Sequence, residues 1–354
     1  MPVTTISVTH GELDISVVVI QGTYHGKLSE DGSRIVETWT QGSPSPLNFQ
    51  RATDETTGLT KSTTRLIAVA PDVSLELIDW GGSGPPLVFL AGLGNTAHIF
   101  DTFAPKFLAN YHAYGITRRG FGASSSPVPN DSNHTADQLG DDVLKVMDAL
   151  GLKKPVLIGH SIADEELSSI GSRNPDKVAG LIYLDAGYSY ALYSPDSGDR
   201  QLVARDLQRD LNAFLTGQAG PDQKEVIGKL LAALPQLQKD LEAHQKRADL
   251  LAPPPNSAKP AKPPVAGPGT AIIKGEQKYT NIQVPLRAIF ASPHSTDRLP
   301  PMTDDKKAEY VALDQANSAA QAKAFEKLKS AKVVILPNAD HFVFFRTSRR
   351  SRKT

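Results

Sequence analysis

Pro155-Val156-Leu157-Ile158-Gly159-His160-Ser161-Ile162-Ala163 is the stretch whose reading decides the fold. Four apolar residues, two of them β-branched, give the signal of a short buried strand. They run into a small-x-Ser-x-small pattern, then into Asp164-Glu165-Glu166-Leu167, which opens like a helix. Acidic residues in a first helical turn suit the positive end of the helix dipole. Strand, sharp turn with a serine at its tip, then helix is the pattern of a nucleophile elbow. The small residues two before and two after the serine let strand and helix approach closely enough to hold it strained and exposed. Ala163 stands where the usual G-x-S-x-G ends in glycine. The alternative is a serine in an ordinary strand-to-helix turn, and the rest of the chain decides between the two.

Outward from that stretch, strands alternate with helices. Pro86–Ala91 reads as an apolar strand followed by the glycine turn Gly92-Leu93-Gly94-Asn95. Thr96–Leu108 carries Ile99, Phe100, Phe103 and Phe107 at helical spacing, Tyr111–Thr117 reads as a strand, and His134–Leu150 is amphipathic. Val178–Leu184 is another continuous apolar strand, as are Val284–Ala291 and Lys332–Leu336 around a long helix, Met302–Ser330. Strands apolar on both faces and separated by helices mean a mostly parallel sheet covered on both sides. Between residues 186 and 281 the alternation stops. Leu202–Leu215 and Gln223–Leu251 read as leucine-faced helices, and Ala252–Gly269 is rich in proline, alanine and lysine. That block predicts a helical lid and a flexible connector inserted into the sheet domain. Residues 1–53 read as five short strands with turn chemistry between them, a small β-meander whose start leaves room for missing upstream β-structure. Ser62–Ala70 and Val73–Trp80 form a β pair ahead of the alternation. The expected organisation is therefore a β-module over 1–53, an α/β core over 62–185 and 282–345, the insertion over 186–281 and a basic tail over 346–354.

Composition narrows the function classes. The 354 residues are 40% hydrophobic and 21% charged with a formal net charge of zero, so nothing pulls the chain toward nucleic acid or anionic membranes. No apolar run is long enough to span a bilayer, and no signal-peptide pattern opens the chain. As it stands the sequence reads as cytoplasmic, and an exported or periplasmic setting requires a signal further upstream. The absence of cysteine excludes disulfides, a thiol nucleophile and thiolate metal sites. Neither a cofactor nor a metal is expected, and oligomeric state is not legible.

A serine hydroxyl needs a base for its proton, a group to orient that base, and donors for an oxyanion. Active groups in a parallel sheet lie at the carboxyl ends of the strands. Ser161 follows one predicted strand, Asp185 the next and His341 the last, in the chain order Ser…Asp…His. His341 is the expected base, in the loop after the final strand. His160 is set aside because strand alternation points it away from the serine, and His294 is assigned to its neighbouring loop. Asp185 is the expected acid because it directly follows its strand, with Asp297 as the alternative. The backbone N–H groups of Leu93 and Ile162 are the expected oxyanion donors.

From about Ser62 to His341 the chain resembles the α/β-hydrolase superfamily, in the branch with a helical cap. The resemblance rests on Leu90-Ala91-Gly92-Leu93-Gly94-Asn95, Arg118-Arg119-Gly120-Phe121-Gly122-Ala123-Ser124, Gly159-His160-Ser161-Ile162-Ala163, Leu184-Asp185-Ala186-Gly187 and Asn338-Ala339-Asp340-His341. It implies hydrolysis of a carboxylic ester or related small-molecule acyl substrate through an acyl-enzyme, without a cofactor. A serine rather than an aspartate nucleophile argues against haloalkane dehalogenases and epoxide hydrolases. Residues 1–53 also look like a β-module found ahead of such hydrolases in exported bacterial proteins. Two departures stand out. Relatives commonly carry glycine where this chain has Asp164, whose charge would offset part of the helix dipole and act on His341. The ordinary expectation for it is a solvated helix-start acid. Relatives also usually end in an amphipathic helix, whereas Phe342-Val343-Phe344-Phe345 here leads into a basic polar tail, as if the carboxy terminus were altered or truncated. These departures motivate the alternative of a catalytically weak or inactive ligand-binding protein on the same fold.

Overall fold

The computed structural model describes residues 5–17, 22–41, 43–51, 61–194, 198–217, 222–251, 267–297, 299 and 302–345. Five strands, β1 (Thr5–Thr9), β2 (Glu12–Val17), β3 (Gly22–Lys27), β4 (Arg34–Gln41) and β5 (Ser43–Gln50), form an antiparallel meander in sequence order. Its inner packing centres on buried Tyr24, whose ring meets Phe49 edge-on at 5.0 Å.

The second sheet has eight strands: β6 (Thr63–Ala70), β7 (Val73–Gly81), β8 (Pro86–Leu90), β9 (His112–Thr117), β10 (Val156–His160), β11 (Gly180–Leu184), β12 (Leu286–Ala291) and β13 (Ala331–Leu336). Their spatial order is β13-β12-β11-β10-β8-β9-β7-β6. All pairs from β9 through β8 and β10 to β13 are parallel. The expected β6–β7 pair joins this sheet antiparallel, through β7 against β9. Alternate residues of one strand face opposite cores: Leu157 packs with α1 (Ala136–Ala149), α2 (Asp164–Arg173) and the end of α6 (Asp304–Glu326), and Ile158 with Phe89, Phe100 and Phe344. That is the reason these strands read as unbroken apolar runs. Chain direction along the sheet reverses between β8 and β10, so their carboxyl ends form the crevice where open α/β sheets place ligands.

One expected helix is absent. Thr96–Leu108 folds as two short 3₁₀ turns, Ala97–Phe100 and Ala104–Phe107. Pro105 lacks an N–H and disfavours helical backbone before it, so the phenylalanine spacing is met without a continuous helix. Between β11 and β12 lie α3 (Arg200–Leu215), α4 (Gln223–Leu251) and α5 (Pro268–Lys274). The last of these begins inside the stretch read as connector. Arg205 ties α3 to this region by donating to the Glu276 carbonyl at 2.7 Å. The basic tail lies outside the described residues. Ahead of it, Phe342 and Val343 pack against the core that includes buried Phe344, without a described helix.

Candidate active site

Ser161 sits between β10 and the 3₁₀ turn that leads into α2, half-buried, with φ at 53°. A left-handed backbone at a non-glycine residue costs on the order of 1–3 kcal/mol and persists only where its surroundings impose it. Gly159 supplies part of that constraint: a Cβ there would fall 2.8 Å from a Leu167 methyl and 3.1 Å from the Ala163 Cβ. Ala163 itself has φ −66°, so the position where glycine is usual requires none here. On the facing loop, a Cβ on Gly92 would lie 3.1 Å from the Ser161 Cβ. The elbow and the glycine turn are therefore pressed together, with Leu93 beside the one and Ile162 beside the other.

His341, after β13, places Nδ1 2.6 Å from Asp185 Oδ2. Among the described hydrogen bonds nothing engages its Nε2. Asp185, after β11, has φ 47°, and its other oxygen accepts the Ala291 N–H at 2.8 Å. Asp297 is exposed, and its backbone N–H donates to the Ser295 hydroxyl. His160, set aside from sequence, and His294, assigned to its neighbouring loop, join this cluster. His160 is 1% exposed, its ring lies 4.6 Å from that of His341, and its Nε2 is 3.1 Å from the His341 carbonyl oxygen. Burial first, and then proximity to His341, lower the His160 pKa to about 4, so it is a neutral ring that donates to that carbonyl and pins the loop. His294 places Nε2 2.7 Å from the same Asp185 Oδ2 and Nδ1 2.9 Å from Asp314. Burial opposes its charged form, but bonds to Asp185 and then Asp314 prevail and raise its pKa to about 10. Burial likewise works against an ionised Asp185, yet the hydrogen bonds from His294 and His341 hold its pKa below the ordinary carboxylate value. Asp185, His294 and His341 bring three potential ligand atoms within 4.8 Å. Their N···O separations are hydrogen-bond lengths, and Asp314 takes the second nitrogen of His294, so the arrangement shares protons along a chain of residues.

The helix-start acids depart from expectation. Asp164 and Glu165 are 0% exposed and Glu166 is 2% exposed. Glu166 is paired with buried Arg118, whose Nη2 also donates to the Ala91 carbonyl at 3.0 Å. The other two lack such a cation. Asp164 Oδ2 receives only a long 3.4 Å contact from the Tyr188 N–H, and both Glu165 carboxyl oxygens are buried without a hydrogen bond. Burial, reinforced by the neighbouring glutamates, pushes both pKa values well above the usual range. Asp164 is thus a fully buried acid whose ionisation is opposed, not a solvated helix-start anion. Burial works against the charge expected to oppose the helix dipole and act on His341.

With that geometry in place, comparison with known proteins is direct. Residues 87–350 match the model of the alpha/beta hydrolase family, well over half of the chain. The chain belongs to the alpha/beta hydrolase family. It is 30% identical over 166 residues to a fluoroacetate dehalogenase of Burkholderia, covering 46% of this chain and 52% of that one. It is 23% identical over 275 residues to the 2-(acetamidomethylene)succinate hydrolase of Mesorhizobium japonicum, covering 74% and 83%. The chain thus spans about half the length of the dehalogenase. A crystal structure of E-2-(acetamidomethylene)succinate hydrolase superposes with a TM-score of 0.47 at 16% identity, covering 80% of this chain and 93% of that one.

In this family member a cleft of about 380 Å³ opens between the loop after β11, α4 and α6. Tyr188, Tyr190, Arg200, His244, Arg247 and Glu276 are among its walls beside Ala243, Leu313 and Ala320, so the lining mixes polar and apolar surface. Tyr188, invisible to motif reading, lies near enough to Ser161 for the two to interact electrostatically, and its ring stacks on Tyr190 with centroids 5.4 Å apart. It links the elbow to the cleft. No helix among the described residues is long and apolar enough to cross a membrane.

Proposed function

We propose that this protein is a serine hydrolase that cleaves a carboxylic ester or related acyl substrate through an acyl-enzyme. The observation that carries the reading is the 2.6 Å Asp185–His341 bond beside a serine held at positive φ. In the proposed cycle His341 Nε2 takes the Ser161 proton as Oγ attacks the acyl carbonyl, and the Leu93 and Ile162 N–H groups receive the oxyanion. Collapse expels the alcohol, which regains the proton from His341; water then repeats the sequence, releasing the acid and restoring Ser161. Asp185 stabilises the imidazolium formed in each half. Displacement at an alkyl carbon, as the name of the dehalogenase relative implies for that protein, does not suit Ser161. It would leave a serine ether that water does not cleave, whereas a carboxylate nucleophile leaves a hydrolysable ester.

The inserted helices act as a lid, and the cleft of about 380 Å³ beneath them, lined by charged groups as well as apolar ones, favours short acyl groups over long chains. Labelling with a fluorophosphonate probe tests the assignment. Labelling of the wild type that disappears in Ser161→Ala is expected; unchanged labelling of the variant overturns it. Turnover across esters of increasing chain length, falling as the chain grows, tests the substrate preference. The reading as a non-catalytic binder draws on Asp164 and on the missing terminal-helix pattern; burial opposes the Asp164 charge, and ligand-induced thermal shift without turnover of any ester would favour that reading.

A further inference from the structure

His294 occupies the loop after β12, and that loop is stitched to the one carrying His341. A parallel bridge joins His294 to Ala339, Ser295 N–H donates to the Ala339 carbonyl at 2.8 Å, and Asn338 N–H donates to the Pro293 carbonyl at 2.9 Å. The two imidazoles therefore have a fixed relation, with centroids 6.2 Å apart. Asp314, on α6 and 6% exposed, grips His294 twice, accepting its backbone N–H at 2.8 Å and its Nδ1 at 2.9 Å. Both ring nitrogens of His294 thus face carboxylate oxygens. A neutral imidazole would set a lone pair against one of them; only the doubly protonated ring donates to both.

We infer that His294 is a positioning residue for the proposed hydrolysis: a permanent imidazolium, anchored by Asp314, that shares Asp185 Oδ2 with His341 and so moderates the base. This rests on the assignment of Asp185 and His341 given above. With both nitrogens committed, His294 cannot itself accept a proton from Ser161. Its raised pKa agrees with a charge that persists through neutral pH. The groups facing it are Asp185 and His341 from the loops after β11 and β13, and Asp314 from α6. Arg247 of α4 acts on Asp314, and Asp297 lies further along the same loop. The fixed cation has two effects on His341. It holds the shared carboxylate in position, and it repels the positive charge that forms on His341 when that ring takes the serine proton.

The test compares wild type, His294→Gln and Asp314→Asn. Glutamine supplies an amide donor without the charge, so the acid limb of the kcat/KM–pH profile should move up by about two pH units, the size set by a unit charge roughly 6 Å away at an effective dielectric of about 20. The Asp314 variant, which loosens the proton on His294, should shift the limb the same way by less. Lower stability with an unmoved limb would assign His294 a merely structural role and overturn the inference. In parallel, NMR titration of the imidazole protons of Ser161→Ala should show His294 protonated at both nitrogens at pH 7; a singly protonated ring there also overturns it, whether or not the enzyme turns over. Asp185→Asn and His341→Ala separate the two readings. If neither reduces turnover, the assignment of the site fails; if both do while the limb stays put in His294→Gln, only the role of His294 fails.

Discussion

Two buried acids at neighbouring strand ends, Asp164 and Asp185, meet opposite electrostatic fates. Asp164 is 0% exposed and Asp185 4%, so burial penalises ionisation of both. Asp164 is surrounded by further acids and one long amide contact, so its ionisation is opposed. Asp185 receives two imidazole nitrogens and a backbone N–H and stays ionised. The difference lies entirely in the partners, and it divides the labour: one site keeps a charge able to steer a histidine, and the other lets an acidic helix start sit inside the core.

The largest effects expected from breaking this contrast fall on the charged side. Ser161→Ala should lower kcat by on the order of 10⁴–10⁶, read in ester turnover at saturating substrate. Asp185→Asn should cost about 10⁴ in kcat, because the amide keeps the shape while losing the charge that selects the His341 tautomer. The neutral side is tested through stability. Burial, and then Asp199, raise the Glu276 pKa to about 8, and Glu165 is raised in the same sense. The folded state then holds protons that the unfolded chain has released above about pH 4.5, so stability should fall as pH rises toward 8. Calorimetric Tm should decline across that window in the wild type and decline less in Glu276→Gln. The smallest effect is expected at Asp164. Because burial opposes its charge, Asp164→Asn should change kcat/KM by less than about threefold, whereas a solvated anion in that place would make the substitution visible in the pH–rate profile.

Much of this arrangement was open to reading in the residues. Apolar runs on both faces disclosed the parallel sheet, and the succession of Ser161, Asp185 and His341 at three strand ends picked out the groups that the fold gathers at one edge. The fold itself follows from local patterning, which a sequence displays directly. The role of His294 does not, because it depends on Asp185, 109 residues earlier, and Asp314, 20 residues later, converging on one ring. His160 was excluded by alternation, yet its contribution runs through a backbone carbonyl that no side-chain pattern announces. Asp164-Glu165-Glu166 read as a wet helix start because charge in a first turn usually is. Here every residue from Asp164 to Gly171 is buried, with α2 packed against α1 and the sheet strands β10 and β11, and the loop after β11 reaching Asp164 through the Tyr188 N–H. Phe100, Phe103 and Phe107 fit a helical period, and only the weight given to Pro105 separates that reading from the two turns observed.

Gly92 carries an evolutionary consequence. With room for no side chain between His160 Nδ1, 2.9 Å from where a Cβ would stand, and the Ser161 Cβ, the glycine turn and the elbow cannot drift apart in sequence one at a time. Descendants of this chain that alter residue 92 must first shift the His160 ring and the Ser161 side chain out of the way. The occupant of position 92 is therefore a marker, readable from a single gene, of whether the turn at 161 still holds its present shape.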